Sequence, residues 1–270
     1  MKKLFLAITG YIVLCLTFAL LTGFSSTTLN LMQIAAKKRA GSSGWNTGLS
    51  TDSNCKAWWK FNDGALTTDS KGTYTLTSHG TPTADTSDYK EGDASVDVYD
   101  GDGDYFSRTG TTNDFNWATT ENLTITCWVK ADSSPNAGFI FYKFSTGKIC
   151  CKVEYAYNST IHFDTGYNNG DSWQYASHDS TLTDGNWYFV GVTYEQSTRN
   201  YRIHILDNSL NIVGTDKTGT WSNDVTFNED GDIYVSMSGT EGLDGRIDEL
   251  TVHDRVLSVS DMNKIAAGTY

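Results

Sequence analysis

Beyond residue 55, the chain is a series of short segments in which apolar and polar residues alternate with a period of two. The clearest examples are Leu123–Lys130, Trp187–Tyr194 and Tyr201–Leu206. Clusters of Gly, Asn and Asp separate these segments, and helix-forming runs are missing between them. Because successive strand side chains point to opposite faces, the pattern predicts an all-β chain of antiparallel strands, arranged as a sandwich or a barrel.

One helix is predicted at the end of the globular part. Ser258 is followed three residues later by Asp261, which resembles a capping box. Val259, Met262 and Ile265 then supply an apolar stripe at helical spacing. The sequence therefore predicts a short C-terminal helix with one buried face.

The charge balance narrows the choice of partners. The 270 residues carry a formal net charge of −12, and 39% of them are hydrophobic. The apolar fraction is enough for a packed core, so the chain is not disordered as a whole. An acidic surface repels phosphate backbones, which argues against nucleic acid as a partner, and it favours divalent cations.

The N-terminal segment predicts export. Lys2 and Lys3 precede an apolar run at residues 4–24, which is long enough to span a membrane as a helix. Residues 1–24 are interpreted as a cleaved signal peptide or a retained membrane anchor, and both remain open. Residues 25–54 are interpreted as a linker whose first part continues the helical spacing, and residues 55–270 as the globular domain. We expect an extracellular or cell-surface location.

A long apolar helix that leads into a globular head also suggests self-assembly in the manner of a pilin. The prepilin pattern is not met, because Tyr11 follows Gly10 and Cys15 stands where that pattern has Glu. Self-assembly through this helix stays an alternative.

Four cysteines lie outside the apolar run: Cys55, Cys127, Cys150 and Cys151. They show no CxxC spacing and no paired histidines, so zinc is not indicated. Disulfides and buried free thiols both fit an exported chain.

Several segments occur in an order that is characteristic of one family. They are Ala57–Phe61, Asp69–Gly72, Ser95–Phe106, Leu123–Lys130, Asp184–Val190, Leu243–Leu250 and Val256–Ser258. This set, over about residues 55–268, resembles the laminin G-like jelly rolls of the concanavalin A-like lectin and glucanase superfamily. The family often has a Tyr-Val-Asp-Gly turn where this chain has His204–Asn208. The resemblance implies a two-sheet jelly-roll sandwich and a role in surface recognition.

The same superfamily includes glycoside hydrolases, so paired carboxylates are the first feature to examine. Retaining hydrolysis needs two carboxyl groups about 5–5.5 Å apart. Asp248 and Glu249 are adjacent, and strand alternation is expected to place them on opposite faces. Glu154, Glu195 and Glu241 stand in unrelated segments without a partner at suitable spacing. The sequence therefore predicts a non-catalytic domain.

A structural calcium ion is implied by the resemblance through the strand-borne Asp248. The acidic residues expected to lie near it are Asp63, Asp69 and Asp102, the last within the Asp-Gly-Asp-Gly-Asp turn at 100–104. Their oxygen ligands suit a hard cation. The alternative is that these carboxylates cap local backbone amides or face solvent.

Carbohydrate binding requires aromatic platforms, because the C–H faces of sugars pack on flat rings and their hydroxyls bond to polar groups. The candidate ligand-binding residues are Tyr155, Tyr157, His162, Trp173, Tyr175 and Trp221. The predicted function is an exported recognition or adhesion module that binds carbohydrate at the cell surface. The alternatives are a structural subunit of an extracellular filament or virion appendage, and a glycoside hydrolase.

Overall fold

The alternating segments form fifteen strands in the computed structural model, which describes residues 45–110, 122–133, 137–145, 148–167, 171–225, 231–237 and 241–270. The leader at 1–24 and residues 25–44 lie outside this range, so the predictions for them stay predictions. The described residues all belong to one compact unit. No helix of the described residues is long and apolar enough to cross a membrane.

The strands are short and are joined mainly by turns. They are β1 (Cys55–Trp59), β2 (Thr77–His79), β3 (Thr83–Asp85), β4 (Ser95–Val98), β5 (Tyr105–Arg108), β6 (Leu123–Ala131), β7 (Ala137–Ser145), β8 (Lys148–Ala156), β9 (Ile161–Tyr167), β10 (Ser172–Ser177), β11 (Tyr188–Glu195), β12 (Asn200–Asp207), β13 (Lys217–Thr220), β14 (Asp232–Val235) and β15 (Gly245–His253). The helices are α1 (Thr47–Thr51) and α2 (Val259–Ala266), and one 3-10 turn spans Asp100–Asp102.

Two antiparallel sheets form a sandwich. The first sheet has the order β13-β12-β11-β6-β15-β4-β3, and β1 also pairs with β15. The second sheet has the order β10-β9-β8-β7-β14-β5-β2. The predicted two-sheet, all-β architecture with a short C-terminal helix is therefore confirmed.

The main core lies between the sheets and follows from the alternation. In β6, the alternate residues Leu123, Ile125, Cys127 and Val129 are all buried in this core. The opposite face of the first sheet carries Trp128, which belongs to a second apolar cluster. The first sheet is thus buried on both faces. Removing this second set of large side chains from water adds to the stability of the fold.

Helix α2 covers the outer face of the first sheet. The Ser258 hydroxyl accepts a hydrogen bond from the Asp261 amide at 3.1 Å, which confirms the predicted N-terminal cap. Met262 and Ile265 are buried in the second cluster. Gly191 of β11 leaves room for them, since a Cβ there would lie 2.5 Å from the Met262 sulfur.

Residues 45–54 were predicted as part of a linker, and this prediction is wrong for the segment that forms α1. Leu49 is buried in the second cluster, and the Asn46 side chain donates a hydrogen bond to the Ile265 carbonyl at 2.9 Å. The Gly48 amide donates to the Tyr270 carbonyl, also at 2.9 Å. The segment folds onto the C-terminal residues because its own polar backbone groups find partners there.

The cysteines contribute to packing. Cys55, Cys127 and Cys151 are buried free thiols, and burial raises the pKa of Cys55 to about 12. Such thiols are poor nucleophiles at neutral pH. Of the two alternatives left open by the sequence, the structure supports the buried thiol for these three residues.

Packing of α2 against the sheet can be tested at Met262. Met262→Ala is expected to lower the free energy of unfolding by about 2–5 kcal/mol, because it leaves a cavity under the helix. Met262→Leu keeps the volume and is expected to cost less than about 1.5 kcal/mol. Urea denaturation of the full chain measures both. Equal stabilities for the two variants would contradict the packing role.

Candidate functional site

Four titratable side chains meet on the outer face of the second sheet, where β8 and β9 pair. The register places Lys152 opposite Asp164 and Glu154 opposite His162. Directly opposed residues of an antiparallel pair share a face, so all four side chains lie together. We call these four residues the charged cluster.

Lys152 holds the charged cluster together. Its ammonium nitrogen lies 2.8 Å from Glu154 Oε2 and 3.2 Å from Asp164 Oδ2. His162 Nδ1 lies 3.1 Å from Glu154 Oε1. One ammonium group therefore contacts two carboxyl groups from neighbouring strands.

The two carboxyl groups have pKa values that are shifted in opposite directions. Burial raises the pKa of Asp164 to about 6, against the opposing charge of Lys152. Burial acts in the same sense on Glu154, but hydrogen bonds from His162 and Lys152 outweigh it and hold the pKa of Glu154 below its usual value. The difference arises because Glu154 has two cationic or donor partners, whereas Asp164 has one.

The edge strand β10 places two large rings beside the charged cluster. Tyr175 stands opposite Asp164 and Trp173 stands opposite Gly166, so both rings share the face of the cluster. Trp173 is 59% exposed and Tyr175 is 63% exposed. The Tyr175 ring centroid lies 6.1 Å from that of His162. The sequence-predicted residues Trp173, Tyr175 and His162 are thus brought together.

Two polar atoms of the charged cluster have unused hydrogen-bonding capacity. Asp164 Oδ1 and His162 Nε2 are buried, and neither finds a hydrogen-bond partner among the described residues. An unsatisfied buried polar atom costs about 1–3 kcal/mol. The site therefore contains buried groups that would gain from a bound water molecule.

A band of aromatic side chains continues across the same sheet. Lys152 Nζ lies 5.1 Å from the ring centroid of Phe139, and Phe139 is followed by Tyr142 at 4.9 Å between centroids. Tyr234 lies 6.3 Å from Tyr142, and Tyr105 lies 6.2 Å from Tyr234. The sequence did not reveal this band, because β7 is apolar at almost every position and shows no alternation.

The other predicted ligand-binding residues require correction. Tyr155 is only 1% exposed and belongs to the core, where its hydroxyl donates to Asp184 at 2.7 Å. Trp221 is also buried in the core and stacks on Tyr201 at 4.1 Å between ring centroids. Tyr157 is exposed, but it lies in the turn after β8 rather than on the strands of the charged cluster.

The structure places the four residues predicted to bind calcium in different local settings. Among the described residues, no three Asp, Glu, His or Cys side chains are grouped to hold a metal ion. Both oxygens of Asp69 accept hydrogen bonds from backbone amides, including those of Trp58 and Tyr74 at 2.9 Å. Asp63 and Asp102 are exposed, and Asp102 lies in the 3-10 turn. The alternative of local capping and solvation therefore describes these three residues.

Asp248 belongs instead to a buried carboxyl cluster with Glu249 and Glu91. Asp248 Oδ2 accepts hydrogen bonds from the Lys90 and Glu91 amides at 2.8 and 3.0 Å, and Glu249 Oε2 accepts one from Trp58 Nε1 at 3.0 Å. Contrary to the expected alternation, Asp248 and Glu249 lie on the same side of the sheet: Asp248 stands opposite Trp128, and Glu249 contacts Trp58, both of the second apolar cluster. A register shift follows Asp248, and Glu249 has φ of 53°. The sequence offered no signal for Glu91.

Burial raises the pKa of Asp248 and Glu249 well above their usual values, and the nearby charge of Glu91 adds to the shift in both. Burial raises the pKa of Glu91 as well. The cluster therefore favours bound protons over three separate negative charges.

Two antiparallel sheets packed face to face form a jelly-roll sandwich. The chain belongs to the laminin G-like family of the concanavalin A-like lectin/glucanases superfamily, whose family model matches residues 100–263. The resemblance stated from the sequence is thus confirmed. A search among curated proteins gives no match.

Solved structures with the same fold include binding domains. The binding domain of botulinum neurotoxin DC, in complex with rat synaptotagmin II, has a TM-score of 0.63 and 15% identity over 80% of this chain and 52% of that chain. The same domain in complex with SialylT has a TM-score of 0.60 and 15% identity over 82% and 52% of the two chains. This chain thus spans about half the length of these neurotoxin chains.

A third solved structure with the same fold is similar in size to the folded unit. Domain 4 of AbnA, an extracellular arabinanase of family GH43 from Geobacillus stearothermophilus, was solved in complex with arabinotriose. It has a TM-score of 0.59 and 16% identity, and the match covers 79% of this chain and 98% of that domain. At these identities, the likeness shows the shared fold.

The buried carboxyl cluster predicts a pH-dependent stability. Acids whose pKa is raised on folding stabilise the protein below their unfolded pKa near 4 and lose this contribution as the pH rises through the folded value. Asp248→Asn keeps the oxygen that accepts from the two backbone amides and removes one charge. It is expected to raise the free energy of unfolding by about 1–2 kcal/mol at pH 7.5 relative to wild type, and by little at pH 4.

Denaturation at both pH values measures the difference between the variant and wild type. Asp102→Asn is the matched control, because it removes the same charge from an exposed turn and is expected to have no effect. A calcium-induced rise in Tm that wild type shows and Asp248→Asn lacks would contradict the proton-binding interpretation and indicate a cation site.

Proposed function

We propose that this chain is an exported, non-catalytic carbohydrate-recognition module whose binding face consists of Trp173, Tyr175 and the charged cluster. The observation that carries the proposal is the exposure of both rings on an edge strand beside polar groups. Two adjacent large aromatic side chains held in solvent on a rigid strand favour a ligand with flat apolar faces. Sugar rings have such faces, and their hydroxyls suit the adjacent carboxyl and imidazole groups.

The structural relatives support the same class of ligand. One neighbouring domain was solved with arabinotriose and another with SialylT. The proposed export rests on the apolar run at residues 4–24, which precedes the folded unit. Calcium has no part in the proposed binding face, because the charged cluster already pairs its carboxyl groups with Lys152 and His162.

Hydrolysis is the second candidate, and one observation favours it. Glu154 and Asp164 stand on neighbouring strands with pKa values displaced in opposite directions, which is the arrangement that separates a general acid from a nucleophile. Recognition is nevertheless preferred, because the Lys152 ammonium contacts both carboxyl groups. For hydrolysis, the glycosidic bond would have to lie between these two carboxyl groups, where the ammonium group already contacts both.

Binding is tested by replacing the exposed rings. Trp173→Ala and Tyr175→Ala are each expected to weaken the affinity for a bound glycan by about tenfold, because an anchoring aromatic contact is worth on the order of 1–2 kcal/mol. A glycan array with the full-length chain identifies ligands, and calorimetry measures the affinities. Tyr99→Ala removes a ring that is 50% exposed outside the strands of the charged cluster and serves as control. Folded variants that bind as tightly as wild type would refute the proposed face.

Catalysis is tested with the same glycans. We expect no release of shorter sugars from any array ligand during prolonged incubation, as followed by chromatography, for wild type, Glu154→Gln or Asp164→Asn. The physical reason is that the Lys152 ammonium group contacts both carboxyl groups and keeps a substrate from reaching between them. Turnover by wild type that both variants abolish would establish the hydrolase instead.

A further inference from the structure

The charges on the proposed binding face restrict which sugars it can accept. Lys152 supplies one positive charge, and both neighbouring carboxyl groups contact it. His162 is paired with Glu154. Among the described side chains of β8, β9 and β10 on this face, each cationic or imidazole group is thus already matched with an acid.

Resting on the proposed function, we propose that the site selects neutral sugars with free neighbouring hydroxyls and discriminates against sugars that carry a carboxylate. A sugar carboxylate needs a cationic partner, preferably one that is not already neutralised. Here it would meet two carboxyl groups that share one ammonium group, and like charges at an interface are repulsive.

The hydrogen-bonding inventory supports the same choice. Carboxylate oxygens only accept hydrogen bonds, and hydroxyls are the donors that neutral sugars offer in pairs. Asp164 Oδ1 has no partner among the described residues and lies on the same face as the two exposed rings, but it is buried, so a sugar hydroxyl is expected to reach it through a bound water molecule. A hydroxyl that donates to a charged acceptor contributes more than one that donates to a neutral acceptor.

The rings set the position of such a sugar relative to the carboxyl groups. Tyr175 stands directly opposite Asp164, and its ring approaches His162. A sugar that stacks on Tyr175 or Trp173 therefore presents its hydroxyl edge toward β9. Stacking anchors neutral and acidic sugars alike, whereas the charged cluster distinguishes them.

The experiment compares neutral and acidic probes with the full-length chain at pH 8, where ordinary imidazoles are uncharged. The neutral probes are arabinotriose, cellotriose and lactose, and the acidic probes are 3′-sialyllactose and trigalacturonate. We expect the best neutral probe to bind at least tenfold more tightly than either acidic probe. Because screening weakens repulsion, raising the salt concentration from 0.02 to 0.5 M is expected to strengthen acidic-probe binding and to leave neutral-probe binding unchanged.

The double variant Glu154→Gln/Asp164→Asn leaves Lys152 without acidic partners in the charged cluster. We expect it to gain at least tenfold in affinity for the acidic probes and to weaken for the neutral probe. Wild type that binds an acidic probe as tightly as the best neutral probe, without the expected salt dependence, would overturn the inference. The salt series uses wild type alone, so the result does not depend on the folding of the variant.

Failure of this inference can be told apart from failure of the proposed function. If Trp173→Ala binds neither probe class and wild type binds both classes equally well, the proposed binding face is supported and the proposed selectivity is refuted. Absence of binding to every probe, or binding that neither ring substitution changes, removes the proposed function and this inference with it.

Discussion

The burial of the first sheet on both faces is the constraint on which the rest of the molecule depends. Its inner face forms the main core, and its outer face carries Trp58, Trp128 and Phe189 beneath α1 and α2. The two helices cover this outer face where their buried side chains pack against it. The exposed rings and the charged cluster therefore stand on the second sheet, at the β8–β10 end, where the described elements include no covering helix.

The charged cluster has an energetic cost that argues for a role in recognition. Bringing Lys152, Glu154 and Asp164 together under largely buried conditions requires desolvation, and a buried ion pair often stabilises a fold no more than well-packed apolar residues do. The raised pKa of Asp164 reports the incomplete compensation. Polar groups retained at such a cost, beside two exposed rings, are what the proposed recognition function requires.

The sequence predicted the architecture because alternation and turn residues act locally. The alternation in β6 and the cap at Ser258 needed no knowledge of distant residues. The residues of the candidate site were harder to predict than the fold. The assignment of Tyr155 to the binding site was nevertheless avoidable, because Lys152 and Glu154 alternate with Val153 and Tyr155, and this pattern directs Tyr155 into the core. Trp221 follows a short edge strand and offered no comparable periodicity.

Long-range pairing accounts for what no local pattern could supply. The register of β8 and β9 gave Glu154 its partner His162 and gave Lys152 its partner Asp164, and Asp248 met Glu91 through a contact between residues far apart in the chain. The local break in β15 likewise reversed the expected separation of Asp248 and Glu249. Each of these depends on which strand lies beside which, and that is decided by the packing of the whole sandwich.

The exposure of the aromatic band limits the proposed binding face to one end of the second sheet. Trp173 and Tyr175 on β10 are more than half exposed, whereas Tyr105 and Tyr234 are only partly exposed and Phe139 and Tyr142 are buried. Rings with little accessible surface cannot stack on a sugar, so the band supports the sheet without extending the platform along it. Recognition at a sheet edge requires only a few sugar units to contact both the rings and the charged cluster. The proposed selectivity then depends on the charges of β8 and β9 more than on the length of the glycan.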